Sequence, residues 1–361
     1  MAEEPAGSGL EGLPDRLWDA VIARDESAAV RTVCAAADAG ADEEALLLDV
    51  VARVQHRVGA EWAAARINVA EEHAAGAIID RVVAALAHRR ATACAPGERG
   101  RITVACVEGE WHHLPARLLA EVLTRRGWQV DFLGAHTPTP HLIAHVHGTN
   151  PAAVLLSASI PTHLPAAHKA VTAVQSLGIP VMVGGAAFGP GGRYARLIQA
   201  DAWAADARAA ADRLAEGLTA PPTSRRHQID DLPHLADQEY TLVKNSRTTL
   251  VRQGLAALDG RSPATRSYDA AQRERTAEDL ARIVDFLATA LYVDDAALFV
   301  TFVTWTADLL AARGVAALSL GLGLSVLTER LHDFPRALAL LGAASDALPV
   351  PPVRPAPGST A

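Results

Sequence analysis

From residue 101 to residue 206 the chain alternates short apolar runs with helical patterns, and few folds admit that order. The runs are ITVACV, WQVDFLG, AAVLLSAS, IPVMVGG and ADAWAAD. Segments of helical period lie between them, near 115–126, 139–148, 164–177 and 191–199. Strands that each return through a helix must pair in parallel, because only a long crossover brings the chain back to the same end of a sheet. The expected unit is a flavodoxin-like, doubly wound α/β domain over 100–217, with strand order 2-1-3-4-5. In such a sheet ligands sit beyond the carboxyl ends of strands 1 and 3, where the strand order reverses.

On either side the period is helical. Leu46, Leu47, Val50, Val51, Val54 and Val58 form one stripe that runs on to Trp62. RIN interrupts it, and a second helix resumes through Glu72, His73, Ile78, Ile79, Val82, Val83 and Leu86. With segments starting at Pro14 and Ser27, residues 11–92 are expected to form a four-helix bundle. Beyond the sheet, LTAPPTSRRHQIDDLPH is a linker by composition, taken as 218–235. An all-α unit follows over 236–347, with helices expected at 236–258, 268–292, 295–313, 315–331 and 335–346. Residues 348–361 read as a disordered tail.

Composition narrows the function. Half of the residues are apolar and 20% are charged, as in soluble globular proteins. A net charge of −8 disfavours nucleic acid, whose phosphates demand an excess of Lys and Arg. MAEEPAGSGLEG lacks the pattern of a signal peptide, and no long uncharged apolar run suggests a membrane span, so a cytoplasmic protein is expected. Cys34, Cys94 and Cys106, odd in number and widely spaced, read as thiols.

VEGEWHHLP follows the first strand and carries the richest chemistry. Neutral imidazole is a good metal ligand and is commonly oriented by a carboxylate on its other nitrogen. Glu110 lies two residues before His112, a spacing that lets both side chains point the same way in an extended loop. Ser157 and Ser159 close strand 3 and border the same crevice, and Gly184-Gly185 ends strand 4 where backbone can lie against a ligand. One protein ligand is too few to hold a bare ion, so the metal would arrive inside a larger cofactor.

Glu110-x-His112-x-x-Pro115, Ser157-x-Ser159 and Gly184-Gly185 resemble the cobalamin-binding motif Asp-x-His-x-x-Gly, Ser-x-Leu, Gly-Gly. VDFLGAHTP, with Thr137, and GGAAFG resemble the rest of that family's pattern. The resemblance implies that His112 is the lower cobalt ligand and that the cofactor's displaced tail threads into the sheet. Glu110, Pro115 and Ser159 depart from the motif, and His113 reads as a solvated loop residue. Trp62, nine residues, then Glu72-His73 resembles the signature of adenosylcobalamin photoreceptors of the CarH type. There a helical bundle caps the corrin, which implies that Trp62 surrounds the adenosyl group and Glu72 bonds the nucleoside. That family has a His directly after the Trp; here it is Ala63, which leaves His73 as the candidate upper ligand after illumination.

The whole layout, without a helix-turn-helix pattern, resembles the photocobilins, which add biliverdin in a globin-like carboxy-terminal domain. The resemblance implies Arg273 and Arg275 as propionate partners, with Tyr268, Phe302 and Trp305 lining the tetrapyrrole. The helical period alone places Arg273 on the core-facing stripe, seven residues before Leu280. Gly321 and Gly323 permit close approach of a flat ligand or of another helix. Ordinary helix packing explains the same aromatics and glycines. The expected function is a non-enzymatic light sensor, a homo-oligomer such as a dimer, with its output carried by a separate effector protein. The runners-up are a corrinoid methyl carrier of a methyltransferase system and a cobalamin-binding scaffold that does not respond to light.

Overall fold

The computed structural model describes residues 10–91, 99–219, 232–261, 266, 268–313 and 318–348. The chain divides into two compact units, Met1–Asp231 and Leu232–Ala361.

The first unit begins with α1 (Leu13–Ile22) and α2 (Glu26–Asp38). A continuous helical stretch follows: α3 (Glu43–Ala45), a π-helical segment (Leu46–Val51) and α4 (Ala52–Ala63). Asp25 and Asp42 start α2 and α3 by accepting the backbone N–H groups of Ala28 and Ala45, donors that the helix itself leaves unpaired. Ala65, with φ of 56°, breaks the helix where RIN interrupts the apolar period, and α5 (Val69–Ala91) returns along the bundle.

The α/β part runs β1 (Arg101–Cys106), α6 (Leu114–Arg125), β2 (Gln129–Gly134), α7 (Thr139–Thr149), β3 (Ala153–Ser157), α8 (Leu164–Ser176), β4 (Val181–Gly184), α9 (Arg193–Leu197), β5 (Ala202–Ala204) and α10 (Ala207–Glu216). All pairings are parallel and the strand order is β2-β1-β3-β4-β5, as the alternation of periods predicts. One expected helix is smaller than its pattern: 191–199 yields only α9, because Gly191 and Gly192 take positive φ values of 61° and 69° ahead of it. Bundle and sheet share one apolar core, in which Leu47, Val54 and Ile79 join Ile102, Leu118 and Leu155. Burying side chains of this size stabilises by about 2 kcal/mol each before entropy is counted.

Around that core runs a set of ion pairs. Glu43 pairs with Arg125 at 3.0 Å, Glu44 with Arg126 at 2.8 Å and Asp49 with Arg208 at 2.7 Å. Arg126 also bonds Asp212 on α10. The π segment and its flank are thus tied to α6 and α10 of the sheet layer.

The second unit is all-α: α11 (Glu239–Asn245), α12 (Arg247–Arg261), α13 (Ala270–Val293), α14 (Ala296–Ala312), α15 (Leu318–Arg330) and α16 (Pro335–Ala347). Asp269 and Gln272 form a reciprocal capping box at the start of α13. Buried Glu239 accepts the N–H groups of Arg336 and Ala337 at the start of α16, which satisfies its charge where helix donors are free. Leu280 packs where a Cβ on Gly254 would lie 3.0 Å away, and one on Gly323 would lie 3.3 Å away. Gly323 therefore serves helix packing, while Gly321 borders open space.

The linker expected at 218–235 is described only at its ends: residues 220–231 lie outside the described residues, and Pro233–Asp237 forms a 3-10 turn. The tail from 349 onward also lies outside them, as do 314–317 at the expected start of α15. Among the described residues no helix is long and apolar enough to cross a membrane.

Candidate functional site

β1 ends buried between its two neighbours, and the chain leaves it through a tight loop at the switch point. Glu110 N–H donates to the carbonyl of Val107, closing a turn in which Gly109 adopts φ of 90°. That turn points the Glu110 side chain inward, where it is fully buried. Its Oε1 accepts from the His112 backbone N–H at 2.8 Å and from the His112 ring at 2.6 Å. Its Oε2 accepts from the N–H groups of Ser159 at 2.6 Å and Ile160 at 3.2 Å. Burial alone would raise this carboxyl, but the His112 ring, the His112 and Ser159 backbone donors and the His112 charge outweigh it, holding Glu110 at about 2. An ionised Glu110 can only accept, so Nδ1 of His112 carries the hydrogen. The bond to Glu110 raises the His112 imidazole above its ordinary value despite partial burial, and the charges of Glu110 and of Glu72 add to that pull.

The expected pairing of Glu110 with His112 is present, and Nε2 of His112 is left facing outward from a ring that is 58% exposed. Among the described residues no group of three or more His, Cys, Asp or Glu could hold a bare metal ion. A single oriented imidazole suits a metal that brings its other ligands with it. His113 does not take part; its ring meets Asp80 on α5 at 3.3 Å and so tethers the loop to the bundle.

Ser157 is buried at the end of β3, in register with Cys106 on one side and Gly184 on the other. Ser159 reaches the site through its backbone, which explains why a Ser can replace the motif's Leu there. Beyond the ends of β3, β4 and β5 a cavity of about 120 Å³ is lined by Pro115, Leu119, Ser157, Gly184, Gly185 and Ala207, among others. Gly185 is required by packing as well as by any ligand: at φ of 103° its Cβ would stand 2.3 Å from the carbonyl oxygen of Ala158. Pro115 lies in the first turn of α6, where a missing N–H costs nothing, so it is tolerated at the mouth of the cavity. Thr137 sits on the loop after β2, its N–H bonded to the Cys106 carbonyl and its buried Oγ1 without a partner among the described residues.

From the bundle, α5 meets the same loop through Asp80 and His113, and the charge of Glu72 on that helix adds a small upward pull on His112. Glu72 pairs with His73 at 2.8 Å, and His73 also meets the carbonyl of Val69. Trp62, half-buried, ends α4 just before the turn into α5. Three residues at the site escaped the sequence reading. His136 accepts the Gly109 N–H at 3.0 Å, Trp111 stacks on His136, and His163 lies where a Cβ on Gly109 would come within 3.0 Å. Their involvement depends on loop geometry that no local spacing announces.

These features fit a corrinoid: an outward imidazole backed by a carboxylate, a slot beside it in the sheet, and a bundle facing the metal position. Residues 100–215 match the sequence profile of the family described as B12 binding domain, and residues 13–87 match a second B12 binding domain profile. The first unit is a cobalamin-binding module. Among solved structures, the module resembles the monomethylamine corrinoid protein of Methanosarcina barkeri, 21% identical over 57% of this chain and 99% of that one, with a TM-score of 0.49. Others are the methanol:cobalamin methyltransferase complex MtaBC from Methanosarcina barkeri (19% identity, 61% and 87% coverage, TM-score 0.31) and a cobalamin-binding protein from Desulfitobacterium hafniense DCB-2 (21%, 56% and 97%, 0.31). No curated protein matches the chain.

The second unit treats its expected site residues differently. Arg273 is exposed and pairs with Asp259 at 2.8 Å, so it is not on the core-facing stripe. The first turns of α13 extend beyond the packed part of the helix, whose buried stripe begins at Leu280. Arg275 is exposed too, bonding the carbonyl of Ala271, while Tyr268 is half-buried. Phe302 is core, stacked on Phe286 at 3.8 Å, whereas Trp305, about one turn further along α14, is 46% exposed. Thirteen residues separate Arg273 from Phe286, about 20 Å of helix. Arg273 and the Phe302 ring therefore do not share one pocket.

Proposed function

We propose that the chain is a light-sensing photoreceptor that uses adenosylcobalamin and is not an enzyme. The observation that carries this reading is the contact of α5, the helix that bears Glu72, with the loop that bears His112, made by Asp80 and His113, with Trp62 ending the neighbouring helix. His112 would hold cobalt from below, and Glu110 would keep its Nδ1 protonated and its ring oriented. Ser157, Gly184 and Gly185 would line the slot for the tail, and Thr137 offers a buried hydroxyl on the loop after β2. Adenosylcobalamin supplies a cobalt–carbon bond that visible light breaks. Trp62 would exclude water from the upper side, and Glu72 would accept hydrogen bonds from ribose hydroxyls. Loss of those contacts frees α4 and α5 to shift, with His73 as the residue available to the vacated side. A change in dimer contacts follows from that shift, because an interface of modest area is tipped by a few lost contacts.

Purified protein loaded with adenosylcobalamin is expected to change its absorption under green light and its sedimentation with it. A methyl carrier or an inert scaffold would instead keep one quaternary state in dark and light, and identical sedimentation would overturn the sensor reading. Biliverdin in the second unit is a separate part of the proposal, without the five-residue site, since Arg273 is engaged at the surface. All three cysteines precede residue 107, so a bilin there would be released on denaturation. Absence of a red-shifted band after incubation with biliverdin would remove the pigment from this reading.

A further inference from the structure

Trp111 is 68% exposed, the most exposed large apolar side chain of those described, yet it is held still. Its ring lies parallel to that of His136, with centroids 4.9 Å apart and planes within 3°. His136 is in turn fixed at both ends. Its Nδ1 accepts the Gly109 N–H at 3.0 Å, and its own backbone N–H donates to the Glu110 carbonyl at 2.8 Å. To do so it adopts φ of 45°, a conformation that costs a residue with a Cβ of this size roughly 1 kcal/mol or more. The loops after β1 and β2 thus accept backbone strain to hold an indole in water, one residue before the outward imidazole of His112. Free exposure of such a surface is unfavourable, and a rigid aromatic loses little entropy when a flat apolar ligand covers it.

We infer that Trp111 is a corrin-contact residue: with His136 as its support, it forms a platform beside His112 that bears on the corrin ring rather than on the nucleotide tail. The tail cavity lies at the ends of β3, β4 and β5, whereas Trp111 leans toward the loop after β2, on the far side of β1. Trp111 accordingly contributes to affinity for any corrinoid that reaches His112, with or without a nucleotide. This rests on the cobalamin reading of the site, and the controls separate the two.

The test titrates the full chain, Trp111→Ala, Trp111→Phe and His136→Ala with aquocobalamin and with diaquocobinamide, which lacks the nucleotide. Trp111→Ala is expected to weaken both ligands by the same factor, about tenfold, and Trp111→Phe by about threefold. His136→Ala should fall between wild type and Trp111→Ala, since it loosens the indole without removing it. At saturation all three should keep the absorption of a histidine-ligated corrinoid, which His112→Ala loses. An exposed side chain can be removed without unfolding the chain, and an unchanged thermal midpoint of the apo variant checks this. Wild-type affinity in Trp111→Ala for both ligands would overturn the inference. Weakening of aquocobalamin alone would move Trp111 to the tail, and loss of histidine ligation at saturation would make it a prop for His112; either result rejects a corrin platform. A wild type that binds neither corrinoid would sink the site itself and this role with it.

Discussion

Four N–H donors converge on the two oxygens of Glu110, and that convergence sets the behaviour of the site at the scale of single residues. The carboxyl is held at about 2, below its ordinary 4.5, so it stabilises the fold fully above 4.5 and loses that contribution as pH falls from 4.5 toward 2. His112 is raised above 6.5, so its share of the pair is complete below 6.5 and fades as pH rises through the folded value. A proton on Nε2 competes with cobalt, so histidine ligation of bound aquocobalamin should drop as pH is lowered, with a midpoint below the pKa of the metal-free imidazole. In Glu110→Gln that drop should move to lower pH, and cobalamin affinity should fall about 10–100-fold, both measured by absorbance titration. Gly185→Ala is expected to destabilise the first unit by about 2 kcal/mol or more, because the added Cβ meets a backbone carbonyl at an unfavourable φ. A thermal midpoint equal to that of wild type would show that the β3 and β4 loops can part without cost.

At the scale of elements, the stretch from Glu43 to Ala63 ties bundle to sheet through a row of ion pairs. Its first half carries Glu43, Glu44 and Asp49, each paired to an Arg on α6 or α10, and its far end carries Trp62. The π segment between them has wider hydrogen bonding than an α-helix, a geometry that local packing must hold in place. Replacing Arg126 with Ala should cost only about 1–2 kcal/mol, since its pairs with Glu44 and Asp212 are partly solvated, but should raise amide exchange across 43–63 selectively. Uniform exchange rates in the variant would show that the apolar core alone fixes this helix. In the second unit, Leu280 is the residue on which α12, α13 and α15 meet through Gly254 and Gly323. Leu280→Ala should lower stability by about 2–5 kcal/mol, read from denaturant unfolding.

For the whole molecule, the division at residues 231 and 232 predicts two unfolding transitions. Ligand that binds only the native first unit should raise one of them and leave the other in place. At a free cobalamin concentration 100 times Kd the gain is about 2.7 kcal/mol. A single transition that moves as one body in calorimetry would show that the units are thermodynamically coupled. Under the proposed sensor function, light should act on the transition of the first unit, because His112 and Glu72 belong to it.

Alternation of short apolar runs with helical periods determined the parallel sheet, and period 3.6 determined the helices on either side, because both follow from which side chains must leave water. The strand order that follows from those periods places Glu110, His112, Ser157 and Gly184 at one crevice, and the spacing of Glu110 and His112 carries their pairing. Tertiary structure alone decided what distant chain segments do to one another. Asp80 met His113, Ser159 contributed its N–H rather than its side chain, and His136 accepted a strained conformation to hold Trp111. The same limit explains Arg273: a helical period says which face a residue lies on, but not how far along the helix a neighbour covers that face. Packing covers α13 only from Leu280 onward, and so Arg273 meets Asp259 and water.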